Sequence, residues 1–220
     1  MNNLIFMPAE IEIPLFPLNV VLFPHSKIPL YIFEERYKKK IGNSINNGTA
    51  FGINFFSEKN IHITGCSALV EEVTERKENG EMNIIVKGVQ RYKIISYELS
   101  IAGYYSGIIE YLDDAIEGFD KIKMEKAVKI YNDLVEIVYK GSVKKIELGD
   151  LKWNDGKRSA TFTMAEKSGL SLVERQRMLE LDSEEMRLDF ILKYFSEVIP
   201  KIKEADKLSN IIKSDGYIQQ

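Results

Sequence analysis

The chain has 220 residues, of which 45% are hydrophobic and 29% are charged, and its formal net charge is −3. This length can bury one sizeable core or two small ones, and the composition is too apolar for a generally disordered protein. Residues 1–114 carry 11 basic and 14 acidic side chains and the remainder carries 19 of each, so binding of nucleic acid, which needs a basic excess, is disfavoured.

The first half of the chain predicts a β-rich domain. Its apolar runs are short and are interrupted by proline, glycine and asparagine, which is typical of edge or bulged strands. Acids followed by lysines indicate a helix at 34–45, and Asn79-Gly80 indicates a hairpin turn. Such a pattern favours a closed or half-closed barrel, because closure removes exposed edges. The predicted strands are residues 11–22, 27–33, 49–56, 66–74, 82–86, 92–98 and 104–112.

The second half predicts helices. Apolar residues recur at helical spacing in 119–139, and Ser171 with Glu174 has the spacing of a capping box. The expected order is a helix at 119–139, a loop with Trp153 at 148–159, helices at 160–167, 171–181 and from 182 or 183 to 199, an interruption at Pro200, and a frayed polar tail at 203–220. We therefore predict an α+β chain with a β-barrel domain at 1–115 and a helical bundle with a polar tail at 116–220.

Motifs for catalysis, metals and membranes are missing from the sequence. There is no G-x-S-x-G or H-E-x-x-H motif, and Asp155-Gly156-Lys157-Arg158 lacks the first glycine and the final hydroxyl residue of a phosphate loop. Cys66 is the single cysteine, and the two histidines, His25 and His62, are far apart in sequence. We expect no cofactor, no metal, no enzymatic activity, no membrane span and a cytoplasmic location.

Two segments resemble a known family. Residues 13–24 read IPLFPLNVVLFP and residues 28–37 read IPLYIFEERY, and both strongly resemble the opening of the Lon N-terminal, substrate-binding domain family. Similar segments follow in the family's order at 64–73, 82–92 and 104–113. The resemblance covers residues 11–113 well and the helical half more loosely.

The resemblance implies a PUA-like, mostly antiparallel β-barrel followed by a helical bundle. In full-length Lon proteases this region helps to capture unfolded or tagged proteins, whereas separate domains hydrolyse ATP and cut peptide bonds. The chain contains neither the ATPase loop nor the serine–lysine region. We therefore expect a stand-alone, non-catalytic module that binds exposed apolar segments of unfolded or partner polypeptides. It would act as a proteolysis adaptor if a separate Lon-type protease or a chaperone is a further partner.

The family motifs also supply candidate peptide-binding residues. They are Phe16, Phe23, Pro24, Tyr31, Phe33, Arg36, Tyr37 and Arg91. Each also has an architectural interpretation, because prolines shape edge strands and aromatic side chains fill cores. Two alternatives stay open, an RNA-binding PUA-like protein and a small-ligand pocket protein. The acidic first half argues against RNA, and the single cysteine and tryptophan argue against the pocket. The sequence does not indicate the oligomeric state.

Overall fold

The computed structural model describes residues 11–113, 120–150 and 159–214. The predicted domain boundary at residue 115, the part of the predicted loop that holds Trp153 and the last residues of the predicted tail lie outside these ranges. The chain divides into two compact units. Unit 1 comprises residues 1–113 and 171–180, and unit 2 comprises residues 114–170 and 181–220. The domain boundary at residue 115 stays a prediction, because packing units are not tests of independent folding.

Unit 1 begins with the elements β1 Ile11–Leu18, β2 Lys27–Ile32, α1 Glu35–Asn47, β3 Phe51–Ser57, β4 Asn60–Arg76, β5 Met82–Leu99 and β6 Tyr105–Tyr111. The six strands form one mixed sheet. The strand order is β2-β5-β4-β3-β1-β6, and β6 also pairs with β5. The β1–β3 pair is parallel and the other pairs are antiparallel, so the predicted mostly antiparallel, β-rich first half is confirmed.

Strand β5 changes its neighbours along its length. On one side it pairs with β2 at residues 82–87 and then with β6 at residues 92–99, and on the other side it pairs with β4. Strand pairings therefore run around a ring, but the ring is irregular and is not clearly a closed barrel.

The predicted strands at 82–86 and 92–98 are one continuous strand, which corrects the sequence interpretation. Gly88 lies between the two predicted segments. In the structure a β-carbon at Gly88 would clash with the carbonyl oxygen of Phe23. The glycine thus lets the β1–β2 connection approach, and the Gly88 carbonyl accepts a hydrogen bond from the His25 amide at 2.9 Å. Gly88 is needed for close packing and does not end the strand.

The interior of unit 1 is mainly apolar, and a buried polar pair, Tyr92 with Asn54, lies within it. Tyr92 is fully buried, and its hydroxyl donates a hydrogen bond to Asn54 Oδ1. The Asn54 amide in turn donates to the His62 carbonyl at 3.0 Å. A β-carbon on Gly52 or Gly65 would collide with the Tyr92 side chain, so both positions must be glycine for this ring to fit. The pair satisfies polar groups that would otherwise be costly to bury.

Helix α4, Leu172–Glu180, belongs to unit 1 although it is distant from the barrel in sequence. The predicted capping box is confirmed, since Ser171 Oγ accepts from the Glu174 amide at 3.3 Å and the Glu174 carboxylate accepts from the Ser171 amide at 2.7 Å. Leu179 is buried, and its carbonyl accepts a 2.8 Å hydrogen bond from the guanidinium of buried Arg91. Gln176 donates to the Thr64 carbonyl at 3.0 Å. Apolar burial and these two bonds hold α4 on the sheet.

Unit 2 is helical, as predicted. Its elements are α2 Lys121–Tyr139, a short 3-10 helix Leu148–Asp150, α3 Ala160–Lys167 and α5 Glu184–Ser214. Asp120 caps α2 by accepting hydrogen bonds from the amides of Ile122 and Lys123 at 2.8 and 3.2 Å. The buried side chains of α2 and α5 include Met124, Ala127, Tyr131, Leu134, Leu188, Ile191 and Phe195.

Helix α5 continues through Pro200 to Ser214, so the predicted end near residue 199 and the frayed segment from residue 203 were wrong as far as residue 214. Proline removes one backbone donor and crowds the preceding turn. In this 31-residue helix the turns on both sides persist. None of the helices in the described ranges is both long and apolar enough to cross a bilayer.

Candidate functional site

The structure separates the eight candidate residues by exposure. Phe16, Phe23, Tyr37 and Arg91 are buried, and Pro24 is half-buried. Tyr31, Phe33 and Arg36 are exposed. Their roles in binding stay predictions, but only exposed side chains can touch a partner directly, so the site is built from the exposed group.

Tyr31 and Phe33 form a stacked aromatic pair, which we call the aromatic shelf. Alternation along β2 turns Ile28, Leu30 and Ile32 toward the core, whereas Tyr31 faces solvent. Tyr31 is 45% exposed and Phe33 is 55% exposed, and their ring centroids lie 5.7 Å apart at an interplanar angle of 30°. Two large rings held together in solvent offer a flat apolar surface to a ligand.

The hairpin turn between β4 and β5 holds the Tyr31 ring in place. The Tyr31 hydroxyl donates to the Glu81 carboxylate and accepts from Lys77 Nζ at 3.1 Å. Lys77 Nζ also lies 4.9 Å from the centre of the Tyr31 ring and 3.2 Å from the Glu81 carboxylate. Hydrogen bonds from Tyr31 and Lys77 lower the pKa of Glu81, and hydrogen bonds to Tyr31 and Glu81 raise the pKa of Lys77. An exposed tyrosine is therefore fixed at both its ring and its hydroxyl.

Helix α1 supports the same turn from behind. Lys38 Nζ donates to the Asn79 carbonyl at 3.0 Å and pairs with Glu35 at 2.8 Å. Gly80 adopts φ +80°, as expected for the predicted Asn79-Gly80 turn. The support of the shelf thus extends from Tyr31 through the turn to α1.

Arg36 is exposed, but its guanidinium is engaged within the fold. It pairs with the Glu34 carboxylate at 2.6 Å and donates to the Gly103 carbonyl at 3.1 Å. Its charge also lies 4.8 Å from the centre of the Tyr37 ring. These contacts tie the start of α1 to the β5–β6 hairpin.

A shallow, open groove of about 600 Å³ runs beside the shelf. Cross-strand pairing places Pro29 opposite Ile85 and Tyr31 opposite Asn83. The Asn83 amide donates to the Glu75 carboxylate at 2.6 Å, which sets one polar wall. The groove therefore combines an apolar floor with a polar rim, as peptide-binding surfaces do. Its lining is Pro29, Leu30, Tyr31, Thr74, Glu75, Asn83, Ile84 and Ile85.

The buried candidates lie in the interior of unit 1. The rings of Phe16 and Tyr37 have centroids 4.1 Å apart, and burial raises the pKa of Tyr37. Arg91 anchors α4, as described above. Their side chains shape unit 1 from within.

The remaining reactive side chains give no chemical centre in the described ranges. Cys66 is completely buried, and burial raises the pKa of its thiol to about 12. His62 lies 3.0 Å from Ser57 Oγ and stacks on Phe55 with centroids 4.8 Å apart. No group of His, Cys, Asp and Glu side chains among residues 11–113, 120–150 and 159–214 is arranged to hold a metal ion.

Sequence reasoning missed the side chains that complete the site. Lys77 and Glu81 lay in a segment that predicted only a turn, and Asn83 and Ile85 belonged to a predicted strand of unassigned register. Their proximity to Tyr31 depends on the β2–β5 pairing. Period-two alternation in residues 27–33 could have shown that Tyr31 and Phe33 share the outer face.

The family model and the curated relatives that match this chain all point to the same family. The model of the ATP-dependent protease La (LON) substrate-binding domain matches residues 12–197. The Lon protease of Escherichia coli K12 is 23% identical over 215 residues, which are 93% of this chain and 27% of that protein. The Lon protease of Dictyoglomus thermophilum is 19% identical, over 92% of this chain and 26% of that protein. The chain spans about a quarter of the length of these curated relatives.

Solved structures show the same fold. A Lon N-terminal domain protein from Xanthomonas campestris superimposes with a TM-score of 0.64 at 20% identity, covering 84% of this chain and 98% of that one. The N-terminal domain of a Mycobacterium avium complex Lon protease gives 0.62 at 15% identity with the same coverage. Since the family model spans residues 12–197 of the 220, the chain belongs to the family of Lon substrate-binding domains.

Proposed function

We propose that this chain is a non-catalytic polypeptide-binding module that holds exposed apolar segments of unfolded or partner proteins on the aromatic shelf. Membership of a substrate-binding family supports a binding role, and relatives named as proteases make polypeptides the fitting ligand class. The observation that carries the proposal is the stacked, half-exposed Tyr31 and Phe33 pair beside the groove.

The fixed geometry of Tyr31 favours binding. An exposed aromatic side chain normally loses rotamer freedom when a ligand covers it, at about 0.5–1.5 kcal/mol per immobilised side chain. Lys77 and Glu81 already restrict Tyr31 before the ligand arrives. A rigid aromatic surface beside a groove suits the recognition of apolar side chains with little sequence specificity. We expect Kd values in the micromolar range, which correspond to a binding free energy of about −8 kcal/mol.

The wider role that fits this binding function is that of a proteolysis adaptor in the cytoplasm. A module that binds unfolded segments without cutting them would pass them to a separate Lon-type protease or to a chaperone. The relatives' description as ATP-dependent proteases supports this setting.

The test measures binding of fluorescein-labelled lactalbumin that has been reduced and carboxymethylated, so that it stays unfolded. We expect micromolar binding by fluorescence anisotropy. Replacing both shelf residues, Tyr31→Ala with Phe33→Ala, should weaken it at least about tenfold, because buried aromatic contacts dominate such interfaces.

The matched control is Phe56→Ala, which removes another phenylalanine exposed on unit 1, 40% exposed on β3. It should leave the Kd within about twofold. Equal binding by the wild-type chain and the shelf double variant would overturn the proposed site, and no binding by any of the proteins would overturn the proposed function.

A further inference from the structure

Strand β5 has a backbone edge that no described strand covers. The β4–β5 ladder ends at the pair Thr64 and Lys93. Beyond it β5 continues to Leu99 and pairs with β6 on its other side. Residues 94–99 therefore keep one row of backbone N–H and C=O groups unpaired within the described part of the sheet. We call this row the β5 free edge.

Apolar side chains surround the β5 free edge. Ile95 is 57% exposed, Tyr97 is 50% exposed and Leu99 is 60% exposed. Ile63, which directly precedes the last paired residue of β4, is 54% exposed. An unpaired backbone edge flanked by large apolar groups is a template for another strand.

The outer edge of the sheet on β2 differs from the β5 free edge in the features that block strand addition. It carries Lys27 and Pro29, a charge and a residue without a backbone N–H. The β5 free edge contains no proline, and Glu98 is the only charged residue in 94–99. The β2 edge is thus protected against strand addition, whereas the β5 free edge is open to pairing.

We propose that the β5 free edge binds an extended apolar segment of another polypeptide by strand addition. This inference rests on the proposed function, because it takes polypeptides as the ligand class. Backbone hydrogen bonds recognise any extended chain, while contacts with Ile95, Tyr97 and Leu99 select apolar residues at alternate positions.

The charge of Glu98 further restricts which polypeptide segments can bind to the β5 free edge. Lys93 lies opposite Glu110 of β6, whereas Glu98 lies opposite Ser106 and has no basic residue across from it in that ladder. A lysine or arginine near one end of the bound segment would meet Glu98, and acidic segments would be repelled. The ligand is therefore an extended segment that alternates apolar residues, lacks proline and carries a positive charge.

The experiment uses the full chain and a capped eight-residue peptide that alternates valine and threonine and ends in lysine. Two derivatives carry backbone N-methyl groups, one on the valines and one on the threonines. Alternate N–H groups of a strand point to opposite edges, so one derivative should lose at least tenfold in affinity and the other should bind as the parent does. Equal affinities of the two derivatives would overturn strand addition.

Protein variants locate the contact. Tyr97→Lys should weaken the parent peptide at least tenfold, and the matched variant Ile122→Lys, at a 78% exposed site on α2, should not. Circular dichroism melting of each variant reports whether it is folded. An equal effect of both variants would overturn the assignment, as would a concentration-dependent dimer lost only in Tyr97→Lys, since the edge would then serve a second copy.

The two proposals fail separately. If Tyr97→Lys binds unfolded lactalbumin and the parent peptide normally while the shelf double variant does not, the strand-addition inference is wrong and the proposed function stands. If neither lactalbumin nor the peptide binds any protein, the proposed function fails as well.

Discussion

Two polar clusters in this chain each combine a cationic side chain, a carboxylate and a hydroxyl group, but one lies on the surface and the other is buried. In unit 1 a lysine, a carboxylate and a hydroxyl meet at Lys77, Glu81 and Tyr31 on the surface. In unit 2 Arg187 pairs with Glu184 at 2.9 Å and donates to Thr161 Oγ1 at 3.2 Å in the interior. The lysine side chain of the first is 44% exposed, and the arginine side chain of the second is 0% exposed.

Exposure decides what each cluster does. Charges in water gain little from pairing, so the surface cluster mainly restricts the position of Tyr31. Charges out of water are costly unless every polar atom has a partner. Arg187 meets this demand with Glu184, Thr161 and the Leu181 carbonyl at 2.9 Å, and its guanidinium lies 4.4 Å from the Phe162 ring centre. The first cluster fixes the position of an exposed aromatic ring, and the second stabilises the interior of unit 2.

The largest expected effect is in the buried cluster. Arg187→Met should lower the free energy of unfolding by about 3–5 kcal/mol, because Glu184 would keep a charge without its main partner. Urea unfolding followed by helical circular dichroism measures this. Lys145→Met removes an exposed lysine that pairs with Glu136 at 2.7 Å, and the urea midpoint should barely move. Similar losses in both variants would contradict the distinction drawn from burial.

A smaller loss is expected at the edge of the same cluster. Ser159 Oγ accepts from the Phe162 amide at 3.1 Å, which caps α3, and donates to Glu184 at 2.6 Å. Ser159→Ala should therefore cost about 1–2 kcal/mol in urea unfolding. Ser142→Ala removes an exposed hydroxyl that bonds only the nearby Tyr139 carbonyl among the contacts described, and it should be close to neutral.

The surface cluster should affect affinity and leave stability unchanged. Lys77→Met removes the charge over the Tyr31 ring, and the freed ring must be ordered again when a ligand binds. We expect binding of unfolded lactalbumin to weaken about three- to tenfold, with an unchanged urea midpoint. A shifted midpoint with unchanged affinity would reverse the roles assigned to the two clusters.

The smallest effect is a response to acid. The pKa of Glu81 is lower in the folded chain than its usual 4.5. The contribution of the ionised carboxylate to the stability of the cluster is therefore present above pH 4.5, and it is lost as the pH falls through the pKa of the folded chain. The near-ultraviolet circular dichroism of tyrosine should stay constant from pH 7 to about 5 and change below about 4.5. Glu81→Gln should remove that step, and a step that persists would have another origin.

Local sequence signals predicted much of the fold. A short apolar run with a proline predicted β2, Asn79-Gly80 predicted the turn between β4 and β5, and Ser171 with Glu174 predicted the start of α4. Signals that depend on distant contacts were misread. Residues 82–86 and 92–98 were predicted as two strands, although they form one strand in which Gly88 makes room for the Phe23 carbonyl, and Pro200 suggested a helix end, although α5 continues through it.

The site was predictable only in part, because motif letters do not distinguish buried from exposed aromatics. The segment IPLFPLNVVLFP contains Phe16 and Phe23, and the segment IPLYIFEERY contains Tyr31 and Phe33. The sequence does not distinguish the two pairs, yet Phe16 and Phe23 are buried, whereas Tyr31 and Phe33 are exposed. Likewise, the predicted helix that begins at residue 182 or 183 gave no indication that Arg187 is buried beside Leu188. Side-chain partners from elsewhere in the chain decide both outcomes.

The return of α4 to unit 1 affects how the protein is made. The ribosome releases the six strands first, but the helix that buries Leu179 and accepts the Arg91 bond is synthesised after residues 114–170. Residues 1–113 therefore lack part of the interior of unit 1 until residues 114–170 of the other unit have been synthesised. Rare codons or pauses before residue 180 would prolong the time during which the barrel is open to the very proteases and chaperones with which we propose it works.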